Sequence, residues 1–122
     1  MKPGEQGISR ILSATRYSWQ GLRAAWKHEA AFRQEASLAL IGFPLAYFLA
    51  RDTNDFLLLT LPLLLLMLTE LANSAIEAIV DRLGDEPDEL SGRAKDMGSA
   101  MVFMAIVMTA LSWGAIVSKQ LL

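Results

Sequence analysis

No cysteine occurs in the 122 residues, and histidine occurs once, at His28. The first absence removes disulfide frameworks and thiolate metal sites. The second leaves no imidazole set able to hold zinc. Charge is missing over long stretches rather than overall: residues 56–69 carry none, and neither do residues 97–118. Runs of about 20 apolar residues are what a bilayer-spanning helix needs, so the chain is expected to be a membrane protein. No block of basic residues of the kind that grips a nucleic-acid backbone is present, and the net charge is only −2. There is no GxxxxGK[ST] phosphate loop and no soluble-kinase catalytic loop. A cleavable leader is not expected either, because the first apolar run begins only near Ala36, after a long polar lead.

What is present organises itself along the chain. Apolar segments cover residues 36–50, 56–80 and 97–118, and the first is short and contains Pro44. At about 1.5 Å per residue it crosses the hydrocarbon only if its helix begins near Ala30. The length leaves room for one domain, 1–122. The expectation is an all-α membrane protein with three transmembrane helices, over about 30–50, 56–80 and 97–118. Positive charges sort the loops: Lys2, Arg10, Arg16, Arg23, Lys27 and Arg33 precede the first span, and Arg82, Arg93 and Lys95 lie in the acidic connector 81–96. Arg51 and Lys119 are left for the other side. The positive-inside rule then puts the N-terminus and the connector in the cytoplasm and the C-terminus outside.

The segment before the first span has its own period. Ile8, Leu12, Thr15, Trp19, Leu22 and Trp26 share one helical stripe, flanked by Arg16, Arg23 and Lys27. This pattern predicts an N-terminal amphipathic surface helix over about 8–28, with tryptophans in the headgroup zone and basic heads reaching phosphates. The plainest reading of the stripe is an anchor without chemistry.

The second span carries the chemistry-bearing residues. Glu70, Asn73, Glu77 and Asp81 recur at spacings of three and four, so a helix turns all four the same way. Measured from Phe56, Glu70 lies about 21 Å along the helix and Glu77 about 31 Å. With a hydrocarbon core of about 30 Å, Glu70 is inside the bilayer and Glu77 is at its cytoplasmic surface. A carboxylate in the core costs on the order of 3 kcal/mol and normally faces protein or a polar cavity. Glu70 is placed to accept a proton from a substrate hydroxyl, and Glu77 to hold a hard cation through oxygen. The competing reading is a hydrogen-bonded clamp between helices. "ELSGRAKDMGSA" then supplies Lys95 and Asp96 before the third span, behind a Ser91-Gly92 pair expected to be flexible. A lysine at such a helix start is usually an interfacial anchor. Beside two glutamates and an arginine-rich surface helix, it also suits phosphoryl transfer to a lipid alcohol, which asks mainly for positioning, a divalent cation and charge neutralisation.

"ELANSAIEAIVDR" (70–82) resembles the signature of the small integral-membrane diacylglycerol kinases of bacteria, and "RYSWQGLRAAW", "HEAAFRQE" and "ELSGRAKDMGSA" resemble their Gram-negative branch. The resemblance implies a homotrimer with active sites at subunit interfaces near the cytoplasmic surface of the inner membrane. It also implies transfer of the γ-phosphate of MgATP to diacylglycerol, giving phosphatidic acid. On the matching positions Glu70 would be the general base and Asn73 would support it. Glu29 and Glu77 would hold the divalent metal, Mg2+, and contact ATP. Arg10, Tyr17, Glu86, Lys95 and Asp96 would also meet the nucleotide. The lipid would lie along Arg10, Ala14, Thr15, Arg16, Tyr17, Ser18 and Trp19, then Arg23, Ala24, Ala25 and Trp26, then Ala31, Phe32, Arg33, Gln34 and Glu35. Further contacts would come from Phe48, Leu49, Ala50, Arg51, Phe56, Glu70, Ser99 and Trp113. Pro87 and Asp88 stand where the Gram-negative pattern has a tyrosine and a histidine, which affects nucleotide contacts through that loop. His28 matches no catalytic position. Met97, Met101, Met104 and Met108 form one stripe, best read as adaptable packing.

Two other functions compete. An undecaprenol kinase would use the same catalytic residues on a different membrane alcohol. A small proton-coupled transporter would use Glu70 as its proton carrier; the position of Glu70 towards the cytoplasmic side and the polar ladder down to Asp81 stand against it. A purely structural subunit leaves Lys95, Asp96 and Glu29 without a task. ATP consumption that depends on added lipid alcohol separates the kinases from both.

Overall fold

The computed structural model describes residues 3–122; Lys2, counted above among the basic residues, lies outside them. The described residues form four helices and no strand: α1 Gly7–His28, α2 Ala30–Leu49, α3 Thr53–Leu83 and α4 Glu89–Leu121. α3 and α4 are long and apolar enough to cross a membrane. α2 has 20 residues and carries Arg33 and Glu35 in its opening turns.

α3 and α4 run well past the apolar segments that predict them. At about 1.5 Å per residue each exceeds a bilayer core, so their ends project beyond it. The connector shrinks accordingly, since only 84–88 is non-helical. Ser91 and Gly92, expected to be flexible, lie inside α4, because the Asp88 side chain accepts from the Ser91 N–H at 2.8 Å and starts the helix there. Gly84 ends α3 at φ 124°, a conformation open to glycine. Asp52 caps α3 in the same way, accepting from the Asp55 N–H at 2.8 Å.

The break between α1 and α2 is a single residue. Glu29 is extended (φ −118°, ψ 105°), and it both ends α1 and begins α2. Arg33 reaches back from α2, its Nη1 donating to the Trp26 carbonyl at 2.8 Å and to that of Lys27 at 3.3 Å. Those carbonyls are among the four that a helix C-terminus leaves without partners. Arg33, expected as a lipid contact, therefore also fastens the elbow.

α3 is the central element, packed between α2 and α4, with α1 against α2. Its inward stripe runs Asp55, Leu59, Leu63, Leu66, Glu70, Asn73, all buried and spaced by three and four. α2 meets it with Ala39, Gly42 and Ala46; a Cβ on Gly42 would stand 2.6 Å from Leu63 Cδ1, so any larger residue there would force the buried Leu63 side chain to shift. Ala46, Leu59 and Ile116 form the tightest core, with Leu49, Phe56 and Trp113 against it. Most large apolar side chains face outward instead: Leu40, Ile41, Tyr47, Leu61 and Leu111 are exposed, and Phe48 is 82% exposed. Such a surface is at ease in hydrocarbon and would aggregate in water.

Pro62 shapes the α3–α4 seam. Lacking an N–H, it leaves the Leu58 carbonyl without its intrahelical donor. The Ser112 hydroxyl of α4 donates to that carbonyl, and Trp113 Nε1 donates to the Leu59 carbonyl at 2.9 Å. Trp113, expected as a lipid contact, thus spends its one polar atom on the seam. At the α2–α3 hairpin end the Lys119 ammonium donates to Asp55 Oδ1 at 2.8 Å, and the Arg51 N–H to Oδ2 at 3.2 Å. Arg51 Nε donates to Gln120 Oε1 at 2.7 Å, and Gln120 Nε2 to the Leu49 carbonyl at 2.7 Å. This ring closes the α2–α3 hairpin onto the end of α4.

Asp55 is only 2% exposed. The Lys119 ammonium, and after it the Arg51 N–H, hold its carboxyl below the usual aspartate range. A depressed folded-state pKa stabilises above the unfolded value and is lost as pH falls through the folded one. Asp55→Asn is therefore expected to lower the thermal unfolding midpoint in detergent at neutral pH. Native and variant midpoints should converge as the pH is taken below about 4; a gap that persists unchanged in acid would show that the charge is not what stabilises.

Candidate active site

The inward stripe of α3 changes character toward its C-terminal end. After Leu59, Leu63 and Leu66 the next two positions are Glu70, 6% exposed, and Asn73, 9% exposed. Glu77, one turn on, is half-buried, and Asp81 is exposed. Asn73 Nδ2 donates to Glu77 Oε1 at 3.3 Å. The polar ladder read from the sequence is thus a continuous face, descending from the packed interior to the open end.

Other helices add carboxylates. Glu29, at the α1–α2 elbow, and Glu77 are both close enough to Glu70 for their charges to repel it. So is Glu35 on α2, whose Oε2 is buried without a hydrogen-bond partner. Expected as a lipid contact, Glu35 is set against the α3 glutamate. Asn73 Oδ1 and Ser74 Oγ are likewise buried and unpartnered. Such atoms are costly in a finished interior, and three of the four among the described residues belong to Glu35, Asn73 and Ser74, neighbours of Glu70, the fourth being Glu5 Oε2 ahead of α1.

From α4, Lys95 Nζ lies 2.9 Å from Asp81 Oδ1. The Asp81 carboxylate beside it raises the Lys95 ammonium above the usual lysine range. Asp96 is exposed next to it, and Glu86 is exposed in the connector. Asp88, flagged as a departure in that loop, caps α4 and Pro87 precedes it. Arg10 and Tyr17 are exposed on α1, with the Arg16 guanidinium over the Tyr17 ring, 5.3 Å from its centre.

α1 lies over two clefts. One, of about 690 Å³, is bounded by Ser18, Ala25, His28 and Glu29 on one side and by Leu71, Ser74 and Ala78 of α3 on the other. The second, of about 750 Å³, has Trp19, Arg23, Trp26 and Lys27 above Phe32 and Met67. Ala24 borders both, while Ala14, Thr15 and Ser18 lie earlier on the helix, Thr15 and Ser18 donating to the Ile11 and Ala14 carbonyls. Ala31 and Gln34 are exposed on α2, and Ser99 on α4. Phe48, Leu49, Ala50, Arg51, Phe56 and Trp113 are not brought near Glu70; they sit at the other end, about 21 Å along α3 from it. Sequence reasoning missed Ser74, the Glu35–Glu70 approach and Gly98. A β-carbon on Gly98 would collide with Asn73 Oδ1. The Asn-Ser pair in "ELANS" is the only hint of the first, and nothing local signals the other two.

A family model described as prokaryotic diacylglycerol kinase matches residues 16–117. The chain belongs to the prokaryotic diacylglycerol kinase family. A diacylglycerol kinase of Escherichia coli K12 is 52% identical over 107 residues, covering 88% of each chain. One from Haemophilus influenzae is 48% identical over 110 residues, 90% of this chain and 93% of the other. One from Pseudomonas aeruginosa is 44% identical over 113 residues, 93% and 92%. The matched stretch contains the whole of the polar ladder, Glu29, Glu35, Lys95 and Asp96; Arg10 precedes it.

The Lys95–Asp81 contact carries its own test. Replacing Asp81 by Asn is expected to bring the Lys95 side-chain titration down toward the ordinary lysine range, read by heteronuclear NMR of labelled lysine. No movement would mean that the ion pair does not persist in the micelle.

Proposed function

We propose that the chain is a lipid kinase that transfers the γ-phosphate of ATP to the primary hydroxyl of diacylglycerol, giving phosphatidic acid. The observation that carries this reading is the buried carboxyl of Glu70 on the inward stripe of α3, next to Asn73 and Glu77, in a family whose named relatives are diacylglycerol kinases. The chain acts as one membrane domain. α2, α3 and α4 cross the bacterial inner membrane, α1 lies on its cytoplasmic face, and the C-terminus is outside. The exposed apolar surface supports that placement, as does the gathering of basic residues at one end. Three copies assemble with sites at their interfaces, which suits the clefts beneath α1 and the unpartnered polar atoms beside Glu70.

Glu70 accepts the proton of the lipid hydroxyl as its oxygen bonds to the γ-phosphorus. The bond from that phosphorus to the bridging oxygen breaks, and ADP leaves with the electron pair. Asn73 holds Glu77 through Nδ2 and keeps it off Glu70. Lys95, with Asp96, Arg10, Tyr17 and Glu86, meets the nucleotide, and Asp81 keeps the Lys95 ammonium charged and aimed. Glu29 and Glu77, each close to Glu70, are the carboxylates that would hold a Mg2+ ion; among the described residues no group of three or more metal-binding side chains comes together. One or two carboxylates completed by substrate phosphates is how Mg2+ is usually held. Bound there, the ion would neutralise charge on the transferring phosphoryl group.

The test is phosphate transfer from labelled ATP in mixed micelles, with dioleoylglycerol and undecaprenol offered in parallel. Transfer to dioleoylglycerol is expected, with Glu70→Gln at least about a thousandfold slower while still binding MgATP. Preference for undecaprenol would change the substrate and keep the site. Consumption of no ATP with either lipid would return the chain to the transporter reading. Glu77→Gln keeps the shape and the acceptor for Asn73 and removes one charge. It is expected to raise the Mg2+ concentration for half-maximal activity by about tenfold or more, and an unchanged requirement would remove Glu77 from the metal.

A further inference from the structure

Gly98 is buried on α4, opposite Asn73. A Cβ built on it would collide with Asn73 Oδ1 and would also stand 3.3 Å from Asn73 Cγ and 3.6 Å from Ile76 Cδ1. The amide oxygen thus occupies the space that any other residue at 98 would fill. Bonds on both sides of this point oppose relief by parting the helices, and the flexible Asn73 side chain is the easier group to move. Toward the connector, Lys95 is bonded to Asp81. Toward the outer end, Ser112 and Trp113 are bonded to the Leu58 and Leu59 carbonyls, and Lys119 to Asp55. A side chain at 98 would therefore displace the Asn73 amide. Its Nδ2 is the donor to Glu77 Oε1.

We infer that Gly98 is a positioning residue for phosphoryl transfer: by leaving room for the Asn73 amide, it sets the Asn73–Glu77 contact and so the aim of the Glu77 carboxylate. The inference rests on the kinase reading. Gly98 touches no reacting atom in this account; it acts through Asn73. It also ties the register of α3 against α4 to the site, since Lys95 and Asp96 lie within three residues of it on the same helix.

The experiment compares Gly98→Ala, Asn73→Ser and the double variant in dioleoylglycerol mixed micelles, with thermal unfolding in detergent measured beside activity. Gly114→Ala is the control, since it makes the same chemical change on α4 where an added Cβ meets nothing within 4 Å. Gly98→Ala is expected to lower kcat by about tenfold or more and to raise the Mg2+ requirement, with KM for the lipid within about twofold. Gly114→Ala should keep native rates. Once Asn73 is shortened to serine the crowding is gone, so Gly98→Ala should change both activity and midpoint little on that background. Should Asn73→Ser itself be inactive, the midpoints alone decide the coupling. Native kcat and Mg2+ dependence in Gly98→Ala, or equal effects in both backgrounds, would overturn the inference. Absence of transfer by the native chain to any lipid would instead defeat the kinase reading, and the unfolding midpoints would still report the Gly98–Asn73 contact.

Discussion

A backbone carbonyl stranded in hydrocarbon has no water to turn to, and each one left unpaired costs several kcal/mol. Pro62 creates such a carbonyl at Leu58, near the start of the apolar segment 56–80. The Ser112 hydroxyl meets it, Trp113 meets the next, and those two bonds fix where α4 stands against α3. The remaining polar features follow from that register: Lys119 falls opposite Asp55 at one end, Gly98 opposite Asn73 and Lys95 opposite Asp81 at the other. A proline that would break a helix in water serves here to index two helices.

The two ends of the seam are built for different purposes. At the hairpin end the donors around Asp55 find acceptors, in a ring that runs through Arg51, Gln120 and the Leu49 carbonyl. At the connector end, Glu35 Oε2, Asn73 Oδ1 and Ser74 Oγ are buried and have no partner. Satisfied polar groups fix a structure, whereas unsatisfied ones are a reserve of binding capacity. That contrast, more than the presence of carboxylates alone, supports placing the proposed site at the connector end.

Much of this was legible in the residues. The three-and-four spacing of Glu70, Asn73 and Glu77 fixed their common face, because helical geometry admits no other arrangement. The Trp19–Trp26 stripe foretold α1 to within a residue at each end. The connector was less legible: hydropathy marks where lipid ends, while helices continue as long as caps and backbone bonds allow, so Asp88 and Gly84 drew boundaries that apolarity could not. The role of Trp113 was hidden for a different reason, since its bond depends on a carbonyl 54 residues away. Gly98 was hidden likewise. A glycine beside Met97 and Ser99 carries no local sign that an amide from another helix rests on it.

Glu29 is the whole of the joint between α1 and α2. With no spacer residues there is no slack, so any tilt of α1 against α2 is carried straight to that carboxylate. Under the proposed placement of α1 on the membrane surface, that surface would serve as a datum plane for the site, much as a straightedge serves a draughtsman.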